Sequence, residues 1–357
     1  LWSKDGQLRK YYSRDWQSYD AVKDNEAKTS DVKEGLEAAV KRQLMCDVPY
    51  GVLLSGGLDS SVISAITQRF AAKRIEDNDE SDAWWPKLHS FSVGLEGSPD
   101  LAAAQKVADM IGTVHHPIHF TIQEGIDALR EVIYHIETYD VTTIRASTPM
   151  YLMARQIKAM GIKMVLSGEG ADEILGGYLY FHNAPNVDEF SCENMRRLRL
   201  IHQFDGLRAD RCAGAHGLDL IVPFLDKNFI DLCMRMNQND KVGPIEKSIL
   251  REAFEGYLPH DILWRQKDGM SDAVGTNWVD EVKKYAEENV DDVLFKETKV
   301  KAYGHNPSIT KEEALYRNIF WKLYGKQSDH LISEIWRPRW TTITDPSARL
   351  LIEKNRT

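Results

Sequence analysis

The sequence predicts an α/β fold, a parallel sheet covered by helices on both faces, with a mainly helical second half. Three observations carry that expectation. Short apolar runs alternate with helical periodicity as far as Leu166, two of those runs pass directly into glycine-rich turns, and from about residue 186 the signals are mostly helical.

The opening segment, Lys4-Asp5-Gly6 between Leu1-Trp2 and Leu8-Arg9-Lys10-Tyr11-Tyr12, reads as a hairpin, and the polar residues to about 30 read as a linker. The expected division is therefore 1–29 as hairpin and linker and 30–357 as one large domain. A helix follows, with Asp31 and Glu34 in capping positions and Val32, Leu36, Ala39, Val40 and Leu44 on one face. Val52-Leu53-Leu54 is a strand ending in Ser55-Gly56-Gly57, after which Ser60 to Thr67 is helical. Phe91-Ser92-Val93 is a second strand, and Ser98-Pro99-Asp100 opens a helix through Ala103, Val107 and Ile111. Val114 to Phe120 is a third strand, closed by the capping box Thr121-Ile122-Gln123-Glu124. Thr148-Pro149 is expected to begin the next helix and Gly161 to end it, before the fourth strand, Met164-Val165-Leu166.

Composition narrows the class. The 357 residues carry 45 Lys and Arg against 54 Asp and Glu, a net charge of −9, which disfavours nucleic acid as the main partner. Cys46, Cys192, Cys212 and Cys233 have no Cys-x-x-Cys spacing, so neither zinc nor a redox pair is expected. No run approaches the roughly 20 apolar residues that span a bilayer, and Leu1 to Gly6 lacks a signal-peptide core, so a cytoplasmic protein is expected. A first residue of Leu rather than Met points to a piece of a longer chain. His115, His116 and His119 alternate along a strand and read as sheet and edge residues rather than a metal cluster, and Trp84-Trp85 as packing beneath a loop.

The strongest chemical signal is Ser55-Gly56-Gly57-Leu58-Asp59-Ser60-Ser61, set between a strand and a helix. Glycines let the backbone approach an anion, and the N–H groups at a helix start form a phosphate cradle. No Lys follows as in loops that grip a γ-phosphate, and an Asp beside polyphosphate needs a cation such as Mg²⁺ between them. Ser167-Gly168-Glu169-Gly170-Ala171-Asp172-Glu173 repeats the setting. Both turns should emerge at carboxyl ends of parallel strands, so Asp59 and Asp172 could share Mg²⁺ and Glu169 could accept a proton.

These loops resemble the ATP pyrophosphatase superfamily, whose fold is the adenine nucleotide alpha hydrolase-like sheet. Thr142-Thr143-Ile144-Arg145-Ala146-Ser147, Gly176-Gly177-Tyr178, Val222-Pro223-Phe224-Leu225-Asp226, Trp264-Arg265-Gln266-Lys267 and Asp345-Pro346-Ser347-Ala348-Arg349 further resemble glutamine-dependent asparagine synthetase, in the same order along the chain. The sequence departs from that pattern at Asp268-Gly269-Met270 and at Ile221, where the family carries Arg.

The resemblance implies a ligase that adenylates the side-chain carboxylate of aspartate with ATP, releases pyrophosphate, and lets ammonia displace AMP. It implies Mg²⁺ on Asp59 and Asp172, pyrophosphate among Ser55, Gly56, Gly57, Asp59 and Ser60, and adenosine against Leu53, Val93, Ser167 and Gly168. It implies catalytic roles for Lys267 near the phosphates, Arg145 near the reacting groups, and Glu169 as the base for incoming ammonia. It also implies a homodimer and a glutaminase domain preceding this one in cis, with a nucleophilic Cys at its start; no Cys stands at the start of this sequence, so free ammonium is its expected nitrogen source. Two other readings are a β-lactam synthetase-like enzyme, whose base resembles a Tyr-Glu pair, and a nucleotide-binding module without turnover.

Overall fold

The computed structural model describes residues 6, 11–26, 28–72, 87–265, 275–299 and 306–342. Most of the Leu1 to Tyr12 hairpin, Trp84-Trp85, Lys267 with Asp268-Gly269-Met270, and Asp345 to Arg349 lie outside those residues. Helices α1 (Thr29–Gln43), α2 (Leu58–Phe70), α3 (Pro99–Ile111), α4 (Ile122–Ile136) and α5 (Val141–Ala159) alternate with strands β1 (Tyr50–Leu53), β2 (His89–Gly94) and β3 (Val114–His119). Strand β4 (Met164–Leu166), helices α6 (Ala171–Leu175), α7 (Val187–Leu200) and α8 (Asp205–Gly214), and strand β5 (Asp219–Ile221) complete the sheet region. The second half is then helical, as the sequence predicts: α9 (Lys227–Arg235), α10 (Ser248–Ala253), α11 (His260–Leu263), α12 (Thr276–Asn289), α13 (Asp292–Lys299) and α14 (Lys311–Tyr324).

All strand pairings are parallel, in the order β3-β2-β1-β4-β5. Register decides which side chains face which helices: Val52 lies opposite Leu166 and Gly51 opposite Val165. Val52 and Leu166 therefore share one apolar cluster with Leu36, Ile63, Ile66 and Phe224, whereas Val165 joins Phe91, Ile133, Ile144, Ile157 and Trp278 on the other face. Burial on both faces explains why β1, β2 and β4 read as apolar runs, whereas the edge strand β3 is mostly exposed or half-buried. At the edge, His115 contacts Ser90 and Ser92, and His116 contacts His89, so the strand histidines serve the sheet. Among the described residues no helix is long and apolar enough to cross a membrane.

Helix α4 begins with the expected capping box: Thr121 accepts from Glu124 N at 3.2 Å while Glu124 accepts from Thr121 N at 2.7 Å. Two helix starts differ from the expectation. Helix α1 begins at Thr29, because the N–H groups of Asp31 and Val32 already close turns onto the Lys28 carbonyl; Asp31 is a first-turn residue that favours the positive helix end, not the cap. Helix α5 begins at Val141, capped by Asp140, and runs through Pro149. Proline there withholds an N–H from the Arg145 carbonyl. The Trp278 indole N–H donates to that carbonyl at 3.0 Å instead, and the helix continues until Met160 and Gly161. The segment read as a linker is docked in part: Trp16 is buried, its indole N–H donates to Asp231 on α9 at 2.8 Å, and Asn237 reaches back to the Lys23 carbonyl.

Candidate active site

The sheet order places the site. From β1 the chain moves outward to β2 and β3, then returns to the opposite side of β1 as β4. The carboxyl ends of β1 and β4 thus flank the point where strand order reverses, the usual crevice for ligands in open parallel sheets. The Ser55–Gly57 turn leaves β1, and the Ser167–Gly170 turn leaves β4.

The first turn is tied to its helix by its own side chains. Ser55 N donates to Ser60 Oγ at 3.1 Å, the two hydroxyls lie 2.9 Å apart, and Ser60 Oγ also donates to the Gly57 carbonyl at 3.2 Å. Gly56 adopts φ +76°, and a Cβ on it would meet Ala104 N at 2.6 Å, so the turn has no room for a side chain. The second turn touches the first through another glycine. A Cβ on Gly168 would lie 2.6 Å from Ser60 N and 2.7 Å from the Asp59 carbonyl carbon. We expect Gly168→Ala to separate the turns and lower turnover by about 10²-fold, since a displacement near 1 Å in a positioned site has that effect. Steady-state assay beside thermal melting checks this, and an active Ala variant refutes the close-approach argument.

The two acids from these turns converge. Lys247 Nζ donates to Asp59 Oδ1 at 2.7 Å, to Asp59 Oδ2 at 2.6 Å and to Asp172 Oδ1 at 2.8 Å. Burial alone would lower the Lys247 ammonium, but Asp172 and Asp59 outweigh it and hold it well above the ordinary lysine range. Both carboxylates are 20 % exposed while the lysine side chain is 2 % exposed, so the acids open on the crevice and the ammonium lies beneath them. Among the described residues no three His, Cys, Asp or Glu side chains gather for a metal. Two carboxylates meeting on one cation nevertheless match the donor set of Mg²⁺, which takes one or two carboxylates and completes its shell with phosphate and water.

Glu169 lies in the second turn, three residues before Asp172. Its Oε1 accepts from Arg208 Nη2 at 2.8 Å, and the same nitrogen donates to Asp205 at 2.7 Å. Tyr178 Oη lies 2.5 Å from Glu173 and 2.9 Å from Asp205. A phenol has one proton, so one of these contacts needs a carboxyl proton; burial first, then Asp205 and Asp172, push the Glu173 carboxyl well above its ordinary range.

A family model described as asparagine synthase matches residues 31–200 and 187–348. The chain belongs to the asparagine synthase family. A protein of Escherichia coli (strain K12) named asparagine synthetase B, glutamine-hydrolyzing, is 59% identical over 327 residues, covering 91% of this chain and 59% of the relative. A probable glutamine-hydrolyzing asparagine synthetase of Dictyostelium discoideum is 50% identical over 365 residues, covering 97% of this chain and 65% of its own length. This member of the asparagine synthase family thus spans roughly three-fifths of the length of those relatives. A solved NMN synthetase from Francisella tularensis aligns with 88% of this chain and 100% of its own at 13% identity and a TM-score of 0.38, too loose a likeness to argue from.

Ser55, Gly56, Gly57, Asp59, Ser60, Ser167, Gly168, Glu169 and Asp172 are brought together at the switch point, with Leu53 ending β1 and Val93 near the end of β2. Arg145 is buried in α5, where Nε and Nη2 bind Glu312 of α14 at 2.7 and 2.5 Å. Lys267 lies outside the described residues, but Arg265 donates to the Gly56 carbonyl at 3.4 Å and to Asp100 at 2.7 Å, which brings the start of that string to the first turn. Sequence reasoning missed Lys247, Arg208 and Asp205. No motif marks them; they reach the site from 188, 39 and 27 residues away from the partners they hold.

Proposed function

We propose that this chain makes asparagine from aspartate, ATP and ammonia, by way of a β-aspartyl adenylate. The observation that carries the proposal is the convergence of Asp59 and Asp172, from two glycine turns, on a single cation at the switch point. The turn after β1, at the start of α2, would receive the pyrophosphate leaving group, and Ser167 with Gly168, packed close against it, would be the wall on which adenosine rests.

The aspartate side-chain carboxylate attacks the α-phosphorus, and the bond to the bridging oxygen breaks to release pyrophosphate. Asp59 and Asp172 would hold Mg²⁺, which supplies Lewis-acid stabilisation to the phosphate oxygens when bound. Fixed donors count most here because charge develops in a crevice already lined with oriented groups. Ammonia then attacks the acyl carbon, AMP departs with the electron pair of the acyl–oxygen bond, and Glu169 takes the proton that nitrogen loses. Its salt bridge to Arg208 fixes the carboxylate in place for that transfer.

In this reading the nitrogen that attacks the adenylate is ammonia. A glutaminase needs an activated thiolate. Of the four cysteines, Cys212 and Cys233 are buried, each with its thiol pushed up to about 12 by burial, Cys46 donates to the Val48 carbonyl at 3.6 Å, and Cys192 is exposed on α7. The relatives' names state glutamine hydrolysis of those longer proteins, in which a further domain would provide it.

Mixing chain, Mg-ATP, aspartate and ammonium should yield asparagine, AMP and pyrophosphate in equal amounts, and glutamine in place of ammonium should yield none. ADP with inorganic phosphate would refute α-phosphate attack. Retention of ATP without pyrophosphate would identify a nucleotide-binding module instead.

A further inference from the structure

The position of Lys247 has a role beyond charge balance. We infer that Lys247 is a resident counter-cation of the Asp59–Asp172 pair, one that disfavours a bare divalent ion there and admits it together with nucleotide phosphates. The inference rests on the reading that this pair holds the metal in the proposed reaction.

An ammonium has three N–H bonds, and here three contacts, all to these two carboxylates, use them. The cluster of two acids and one lysine carries a net charge of −1 rather than −2. A divalent ion arriving alone from the crevice gains only that weakened attraction and is repelled by the ammonium just beneath. A metal already bound to a triphosphate brings enough negative charge to offset the repulsion, and its phosphate oxygens offer Nζ a new partner. The lysine therefore couples metal entry to nucleotide entry.

The local architecture is built to hold the lysine there. Lys247 has φ +55° and ψ +34°, a backbone conformation that side-chain-bearing residues seldom adopt, immediately before α10. Its stem passes a glycine: a Cβ on Gly177 would lie 2.9 Å from Lys247 Cδ and Cε and 2.1 Å from Asp172 Oδ1. The neighbouring acid, Glu246, is engaged by Arg251 Nη2 at 2.5 Å, which leaves the aspartates to define the ammonium's place. Lys247 is thus a positioning residue whose signature is metal affinity, not turnover alone.

Mn²⁺ titration followed by electron paramagnetic resonance, on the whole chain without nucleotide, tests this. Lys247→Gln should bind Mn²⁺ at least about tenfold more tightly than wild type, because the pair regains its full charge, whereas Lys247→Arg should remain weak. Equal or weaker binding by Lys247→Gln overturns the inference. Wild-type protein provides a second reading should Lys247→Gln not fold. Its Asp172-dependent Mn²⁺ affinity should rise at least about tenfold with an ATP analogue carrying a methylene between the α- and β-phosphates, and no rise overturns the inference. The metal reading itself fails in a different way: Asp172→Asn would then bind Mn²⁺ with the analogue as well as wild type does.

Discussion

Asp172→Asn should lower pyrophosphate release by on the order of 10³-fold, because it withdraws several kcal/mol of metal-assisted charge stabilisation from the transition state, each 1.4 kcal/mol being a tenfold change. Asn has the shape of Asp but cannot anchor a divalent ion with comparable strength. The same change removes one of the carboxylates on Lys247, so its effect combines lost metal with a displaced ammonium. The two are separable. Raising Mg²⁺ should recover little turnover if the ligand is gone, and thermal melting should show the sheet intact, since Val165 and Leu166 beneath the turn are untouched. Full activity in Asp172→Asn would end the argument for metal-assisted adenylation, and Asp59→Asn should behave alike.

The largest loss of stability is expected at Glu312. Its carboxylate binds Nε and Nη2 of Arg145 and accepts from Tyr316 Oη at 3.0 Å, and Arg145 and Glu312 are 1 % and 3 % exposed. Glu312→Gln leaves a buried guanidinium facing a neutral amide, and breaking a buried pair from one side costs about 3–5 kcal/mol. Urea unfolding should report the loss directly. A double change of Arg145 and Glu312 to apolar residues should recover much of it, because both desolvated charges then disappear. A single variant within about 0.5 kcal/mol of wild type would show that the pair is not structural. The backbone carbonyl of Arg145 also anchors the α5–α12 contact through Trp278, so one residue ties α5 to both α12 and α14.

Much of the sheet was legible because strands buried on both faces leave a plain mark. The runs around Val52, Phe91 and Val165 became β1, β2 and β4, and Val114 to His119 became the edge strand β3; the strand order was not read from the sequence. Strand β5 was missed: Asp219–Ile221 pairs only with β4 and is exposed or half-buried along its length, so it lacks the apolar run that marks the equally short, buried β4. Pro149 misled for a definite reason. Its cost to the helix is met by an indole 129 positions beyond it, and no local rule sees that far. The site divides the same way. Its glycine turns and acids are contiguous in sequence and were readable, whereas Lys247 and Arg208 are cations delivered by tertiary packing from stretches with no motif of their own.

Lys247 follows Asp59 by 188 residues, which sets a schedule for the nascent chain. At about 5–20 residues per second, a ribosome needs roughly ten to forty seconds to progress from one to the other. For the last 75 residues of that interval both acids have been made, while the amine that will quiet their mutual repulsion has yet to be polymerised. The crevice is thus born overcharged, and its last-made half completes it.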